Sequence, residues 1–307
     1  MRPIWPADEI AFIMATGHDE DMIVQLQRCN GRERMLSYPH INLTTLRRFL
    51  LRIPRWTRRY RMSESEKCLT PRVSVVVPVF NEASCVRDVL VELTGALDKG
   101  LGCGYEVLVV DDGSTDETAQ VAAAVAAEHP SVRVLRHKDN AGQSYAFHTG
   151  FREARGGVIV TFDGDGQNVP DDIPRVVAAL GPECDCCCGY RARRQDTFWR
   201  RFGSRLANGV RNSVLGETIR DTGCSVKAFK AEFVRGIFPW NGMHRFFASF
   251  VMMQGGRITQ LEVSHRSRQS GVSKYTNWGR LKKTIRDLFG VKWLKSRTRG
   301  CRCVELR

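Results

Sequence analysis

No stretch of this 307-residue chain reaches the roughly 18 uncharged apolar residues that a transmembrane helix needs. The best candidate, Phe246 to Met253, is too short and is closed off by Arg245 and Gln254. A secretory leader is not expected either, because Asp8, Glu9, Asp19, Glu20 and Asp21 place acids where such a leader carries none. No glycine-rich dinucleotide fingerprint follows any strand, and Gly100-Leu-Gly-Cys-Gly104 precedes a strand and reads as a turn. Paired Cys-x-x-Cys knuckles are absent, so the 11 cysteines read as reduced, structural thiols of a cytosolic protein rather than zinc ligands. No His–carboxylate dyad stands out, and His148, His244 and His265 read as structural. Internal repeats are also missing.

What is there is an ordinary globular composition, 42% hydrophobic and 26% charged, which excludes a disordered or collagen-like chain. Acids are few beside bases, 33 against 47, and the net charge of +14 calls for anionic partners such as nucleic acid, an acidic membrane surface or a phosphorylated substrate. The length allows one large domain or two small ones. Residues 1–70 show no alternating strand pattern and carry Arg47, Arg48, Arg52, Arg55, Arg58, Arg59 and Arg61 with no acid between, interrupted by Pro54. They form a basic extension, either an arm that touches an anionic surface or a solvated, poorly ordered segment. Residues 71–296 are expected to form the main domain and residues 297–307 a basic tail.

From Arg72 the pattern alternates. Strands are expected at Val73 to Val77, Glu106 to Val110, Val132 to Arg136 and Val158 to Phe162. Helices are expected at Glu82 to Lys99, Thr115 to Glu128, Ala141 to Ala154 and Val169 to Leu180. This order predicts an α/β fold, a mostly parallel sheet flanked by helices, with ligands at the carboxyl ends of the strands. Pro78, Asp112 and Asp163 fall there. Further on come a strand at Cys184 to Gly189, a basic loop and helix at Arg191 to Gly216, and a strand at Ile258 to Val263. A basic amphipathic helix from Asn277 to Lys295 repeats Trp278, Leu281, Ile285, Leu288, Phe289 and Trp293 at helical spacing. Its apolar face either lies on a membrane surface or packs on the core.

Three motifs sit at strand ends. Asp163-Gly164-Asp165-Gly166-Gln167 offers two carboxylates one residue apart, suited to a hard divalent cation shared with phosphates, or else a plain Asp/Gly turn. Asp111-Asp112-Gly113-Ser114-Thr115-Asp116 provides a helix cap and a carboxylate able to accept hydrogen bonds from a nucleobase or ribose. Pro78-Val-Phe-Asn-Glu82 brings an aromatic and an acid to the same crevice. Arg200, Ser204, Asn208 and Arg211 share one helical face, a cationic stripe suited to a phosphate or a solvated basic helix.

The order of these motifs, with Asn140-x-Gly142, Ala146, Gly150, Gly189-Tyr-Arg191, Asp221-x-Gly223 and Arg268-x-x-Gly271-x-Ser273-Lys274, resembles family 2 glycosyltransferases of the GT-A fold. It is most similar to the branch of dolichol-phosphate mannosyltransferase and the bacterial polyprenyl-phosphate enzymes, over about residues 72–290. The resemblance implies a single GT-A catalytic domain and a metal-dependent, inverting hexosyltransferase. It implies that Pro78, Phe80, Glu82, Val110 and Asp112 line the nucleoside, that Asp163 and Gly164 belong to the nucleotide-sugar site with Asp163 at the ribose and metal, and that Asp163, Asp165 and Gln167 hold Mg2+ or Mn2+. Arg191, Arg268 and Lys274 would contact the diphosphate of a GDP- or UDP-linked sugar, and Arg200 and Ser204 the acceptor phosphate. A polyprenyl phosphate oxygen, already anionic, would attack the anomeric carbon without a strong base. Three features depart from the family: Gly164 stands in place of the common Ala, Cys224 in place of Ser or Gly, and no membrane-spanning segment follows Leu294. The implied location is cytoplasmic, peripheral to the inner face of the membrane. The rival enzyme uses a hydroxyl acceptor, for which no base is evident. Nucleic acid is not expected as a partner, because it leaves the acids at successive strand ends unexplained.

Overall fold

The computed structural model describes residues 12–16, 23–27, 72–102, 104–192, 198–266 and 277–298, with side chains from residue 72 onward except at 198–206 and 277–283. The chain divides into two compact units, 1–61 and 62–307. In the first, β1 (Phe12–Thr16) pairs antiparallel with β2 (Ile23–Gln27), Phe12 facing Gln27. No strand was expected there. The alternation of Ile23, Gln25 and Gln27 with Val24 and Leu26 is too short to stand out beside the arginine run.

The second unit is built on β3 (Val73–Val79), β4 (Tyr105–Asp111), β5 (Val132–Arg136), β6 (Val158–Thr161), β7 (Cys186–Tyr190), β8 (Lys227–Lys230) and β9 (Ile258–Glu262). These form one sheet of order β5-β4-β3-β6-β8-β7-β9. All pairs are parallel except those of β8 with β6 and β7. Every residue of β3 and β4 is buried, which is why both read as continuous apolar runs rather than alternating ones.

Side chains leave β3 alternately, and each face has its own core. Val75, Val77 and Val79 point to a layer made by α1 (Val86–Leu101), α2 (Thr118–Glu128) and α4 (Ile173–Ala178), through Leu90, Leu93, Ala122, Val125 and Val176. Val76 points the other way, to α3 (Gln143–Glu153), α6 (Phe247–Met253) and α7 (Asn277–Arg297). Phe151 and Phe247, with ring centroids 5.0 Å apart, and Phe229 on β8 fill that second core. α5 (Phe198–Leu215) contributes Leu215 to it. α3 can lie this close because Gly150 faces β3: a Cβ there would come 2.2 Å from Val76 Cγ1.

The described cysteines are all free, and Cys184, Cys186, Cys187, Cys188 and Cys224 are buried. Burial pushes the Cys187 thiol up to about 12 and the Cys224 thiol up to about 11. Helix starts are later than expected. α1 begins at Val86 rather than Glu82, because Asn81 takes a left-handed backbone (φ 53°) and residues 82–85 turn before the helix begins. α2 begins at Thr118, whose N–H donates to Asp116 Oδ1 at 3.0 Å.

Candidate active site at the carboxyl ends of the strands

β3 and β4 run in register to Val79 opposite Asp111, and the Asp112 N–H donates to Val79 O at 2.9 Å. β6 leaves the sheet one residue after Thr161, so Asp163 emerges beside the end of β3. Pro78 falls beyond the last β3–β6 pair, Val76 with Thr161, where that ladder has already ended. Three loops therefore converge at one edge.

These loops are tied to one another. The Asn81 N–H donates to Ser114 Oγ (2.9 Å), and Asn81 Oδ1 accepts from the Thr115 N–H (2.8 Å). The Glu82 N–H donates to Thr118 Oγ1 at 2.8 Å. Cys85 Sγ lies 3.6 Å from Gly164 O, linking the first loop to the third. Asp111 is buried and accepts from the Ser114 N–H (3.1 Å), with Arg136 Nε 3.1 Å from its other oxygen.

Asp112, only 3% exposed, is used up by the protein. Its Oδ1 meets His137 Nδ1 (2.8 Å) and the Ala141 N–H (3.0 Å); its Oδ2 accepts from Asn140 Nδ2 (2.9 Å) and the Gly142 N–H (2.7 Å). The carboxylate fastens β4 to the turn before α3, so its acceptor capacity is spent on shape rather than held out to a base. Gly113 has to be glycine here: its φ is 73°, and a Cβ would lie 2.7 Å from Asn140 N. Val110 is likewise fully buried in the second core, so only its backbone is near the crevice. Phe80 and Glu82 are half-buried at its edge.

Asp163, Asp165 and Gln167 lie together on the third loop, and the Gln167 N–H donates to Asp165 Oδ1 at 3.2 Å. Burial, then the neighbouring Asp165 charge, raises Asp163 to about 6, against the opposing pull of Ser225, Lys227 and Arg191. A bound cation would relieve that repulsion. Among the described residues no group of three His, Cys, Asp or Glu side chains is placed to hold a metal. Two carboxylates and an amide oxygen could still hold a hard ion whose other positions go to phosphate oxygens and water. The Arg266 N–H donates to Gln167 O at 2.9 Å, so the chain arrives at this loop just before residues 267–276. Arg268 and Lys274 lie outside the described residues.

Arg191 follows β7 and is held by Asp221 in a two-pronged pair, Nε to Oδ2 at 2.7 Å and Nη2 to Oδ1 at 3.0 Å. Burial disfavours the Arg191 charge, but the Asp221 carboxylate outweighs it and keeps the guanidinium above its ordinary value. The Gly223 N–H also donates to Asp221 Oδ1, at 3.1 Å. Asp221 is thus what orients Arg191, a partnership that spacing does not reveal.

Below Asp163 opens a cleft of about 400 Å³, lined among others by Gln143, Thr222, Ser225, Lys227, His244 and Arg245. Gln143 Nε2 donates to Asp163 Oδ1 at 2.8 Å. His244 Nδ1 sits 2.8 Å from Ser144 Oγ, which accepts the Gly242 N–H at 2.9 Å. Sequence reasoning missed Gln143, Lys227, His244 and Arg245 as cleft residues. Only Gln143, next to the Asn140-x-Gly142 motif, carried a signal.

The stripe on α5 divides. Arg211 is buried against Glu217 (3.0 Å) and donates to Ser249 Oγ at 2.7 Å, so it is not open to a phosphate. Asn208 Nδ2 donates to Arg220 O at 3.0 Å and its Oδ1 accepts from Thr222 Oγ1 at 2.9 Å, joining the helix to the Asp221 loop. Arg200 and Ser204 lie in the first turns of α5, and their side chains are outside the described ones.

Residues 74–238 match the family model of glycosyl transferase family 2. The chain is 36% identical over 217 residues to an undecaprenyl-phosphate 4-deoxy-4-formamido-L-arabinose transferase of Yersinia enterocolitica, covering 70% of this chain and 65% of that protein. It is 38% identical over 224 residues to a dodecaprenyl-phosphate galacturonate synthase of Rhizobium johnstonii, covering 71% and 66%. The chain thus spans just under two thirds of the length of these relatives. In fold it is similar to a mannosyltransferase of Pyrobaculum calidifontis in complex with GDP-Man and Mn2+, with a TM-score of 0.54 at 22% identity over 76% of this chain and 66% of that one.

Proposed function

The chain belongs to glycosyl transferase family 2, and from that premise we propose that it moves a sugar from a nucleoside diphosphate to a polyprenyl phosphate, with inversion at the anomeric carbon. The observation that carries the reading is the convergence of Asp163, Asp165 and Gln167 with the tied loops of Phe80–Glu82 and Asp112, above a cleft holding Lys227, His244 and Arg245. The relatives named for undecaprenyl and dodecaprenyl phosphate support the acceptor class.

In this reading Asp163, Asp165 and Gln167 hold Mg2+ or Mn2+, which when bound offsets the charge of the leaving diphosphate. The Mn2+ in the mannosyltransferase structure supports a divalent ion of this kind. Phe80 and Glu82 flank the nucleoside. Asp112 acts one step back, by setting the path of the backbone around it. Arg191, aimed by Asp221, faces the diphosphate side of the crevice, and Arg268 and Lys274 complete the charge. Arg200 and Ser204 take the acceptor phosphate. No base is required, since the attacking oxygen is already ionised at neutral pH. The domain that does this spans residues 71–296 and works from the cytoplasmic side, against the inner face of the membrane.

A transfer assay tests this. Purified protein is given Mn2+ or Mg2+ and radiolabelled UDP- or GDP-sugars, with polyprenyl phosphate in detergent present or omitted. Label is expected in the organic phase only with lipid phosphate and metal, and Asp165→Ala should lower it at least about a hundredfold. Donor turnover onto a soluble hydroxyl acceptor alone would overturn the lipid-phosphate assignment.

A further inference from the structure

Among the described residues, helix α7 meets the rest of the second unit along one side. Leu288 and Val291 are buried in the second core. Thr284 Oγ1 accepts from Arg245 Nη1 at 2.8 Å, and Lys295 Nζ donates to Leu215 O at 2.6 Å and lies 3.7 Å from Glu217. Residues 284, 288, 291 and 295 recur at three- and four-residue steps, so they form one face. The helix is thus anchored at both ends of that face.

The flank of the helix next to that face is apolar as well. Ile285, Phe289 and Trp293 follow one another at four-residue steps and are 46%, 60% and 62% exposed. By helical geometry they line a single stripe beside the anchored face. Lys292 borders the stripe on one side and Arg286 and Arg297 on the other, all exposed. A solvated helix has no reason to set an isoleucine, a phenylalanine and a tryptophan in register on its outer side. An apolar stripe framed on both edges by cations matches the boundary of an anionic bilayer, where the rings enter the acyl region and the cations meet the headgroups. The net charge of +14 adds long-range attraction to the same surface.

We propose that the outer face of α7, through Ile285, Phe289 and Trp293 with Arg286, Lys292 and Arg297, is a docking surface for an anionic phospholipid bilayer. The sequence left two roles open for this helix, core packing or membrane contact. The two faces carry one each. The inference deepens the proposed function by giving the enzyme a way to meet a lipid-borne acceptor, but its test uses no sugar, no nucleotide and no polyprenyl phosphate. It therefore stands or falls separately from the transfer assay.

The full chain is sedimented with phosphatidylcholine vesicles, with and without phosphatidylglycerol. Binding is expected to be at least about tenfold stronger to the anionic vesicles. Phe289→Ser with Trp293→Ser should weaken it by at least about tenfold, and Arg286→Glu or Lys292→Glu by about fivefold each. All four positions are exposed, and an unchanged thermal midpoint confirms folding. Equal vesicle binding by the apolar double variant and the parent overturns the proposal, as does no binding by the parent. A concentration-dependent dimer that the double variant abolishes, in a parent that ignores vesicles, would also overturn it and assign the stripe to a second copy. Retention on nucleic acid that depends on the same two aromatics would overturn it in favour of that partner.

Discussion

Asp112 shows how a carboxylate at a strand end can be taken up by the protein itself. Its two oxygens take four contacts, from His137, Asn140, Ala141 and Gly142, and little of it reaches solvent. Asp112→Ala should therefore cost at least about 2 kcal/mol of folding stability, because several buried donors lose their acceptor together. Phe80→Ala, at a half-buried position on the crevice edge, should leave stability within about 1 kcal/mol and weaken nucleotide binding instead. Urea denaturation and nucleotide titration of the two variants separate the roles. Equal stability in both would mean that Asp112 is not the fastening described. The Asp-Asp-Gly-Ser-x-Asp motif was legible in the sequence as a strand-end cluster, with Ser114 or Thr115 as a helix cap; that Asp116 takes the Thr118 N–H was not. What was not legible was that Asp112 would be spent on a turn 25 to 30 residues away. Non-local hydrogen bonds leave no periodic trace. Asp221 is hidden for the same reason: nothing in its spacing announces that it grips Arg191, 30 residues earlier. Lysine could not reproduce that two-pronged contact, so Arg191→Lys should lower transfer by about tenfold or more, read as kcat/KM in the transfer assay.

Elements were legible in proportion to how far their burial is written in continuous residue types. β3 and β4 announce themselves as valine-rich runs, and β5, with Val132 and Val134 alternating with Arg133, has the expected bounds. β8 is four residues, Lys227-Ala-Phe-Lys230, with a lysine at each end, and no strand was expected there. It holds because it is inserted antiparallel between β6 and β7, where Phe229 joins the aromatic core and Lys227 turns back onto Cys224 O. α6 carries no charge and reads as an apolar stretch of uncertain type, since only seven residues are too few for periodicity to speak. The seating of α3 on β3 is testable. Gly150→Ala should destabilise the fold by about 1–3 kcal/mol, through the encounter with Val76. Val76→Ala should be destabilising alone yet recover part of that loss in the double variant. A double-mutant cycle with no coupling would place α3 farther from the sheet than the structure has it.

For the molecule as a whole, two forces act on any encounter with a surface. The charge of +14 attracts polyanions of every kind, and salt removes this: at about 1 M the screening length is near 3 Å. Apolar insertion is not screened. Vesicle sedimentation of the full chain should therefore fall with added salt to a residue that depends on Phe289 and Trp293, whereas retention on a charged resin should fall to nothing. Complete loss of vesicle binding in high salt would leave charge alone as the cause. The central claim concerns the strand-end crevice itself, that a divalent ion on Asp163, Asp165 and Gln167 is what holds a donor diphosphate there. Calorimetric titration of UDP- and GDP-sugars, with Mn2+ or with a chelator in its place, addresses it directly. The account predicts that one donor binds, that chelation weakens it at least about tenfold, and that Asp165→Ala does the same with Mn2+ present. Donor binding of unchanged affinity in chelator or in Asp165→Ala would contradict it.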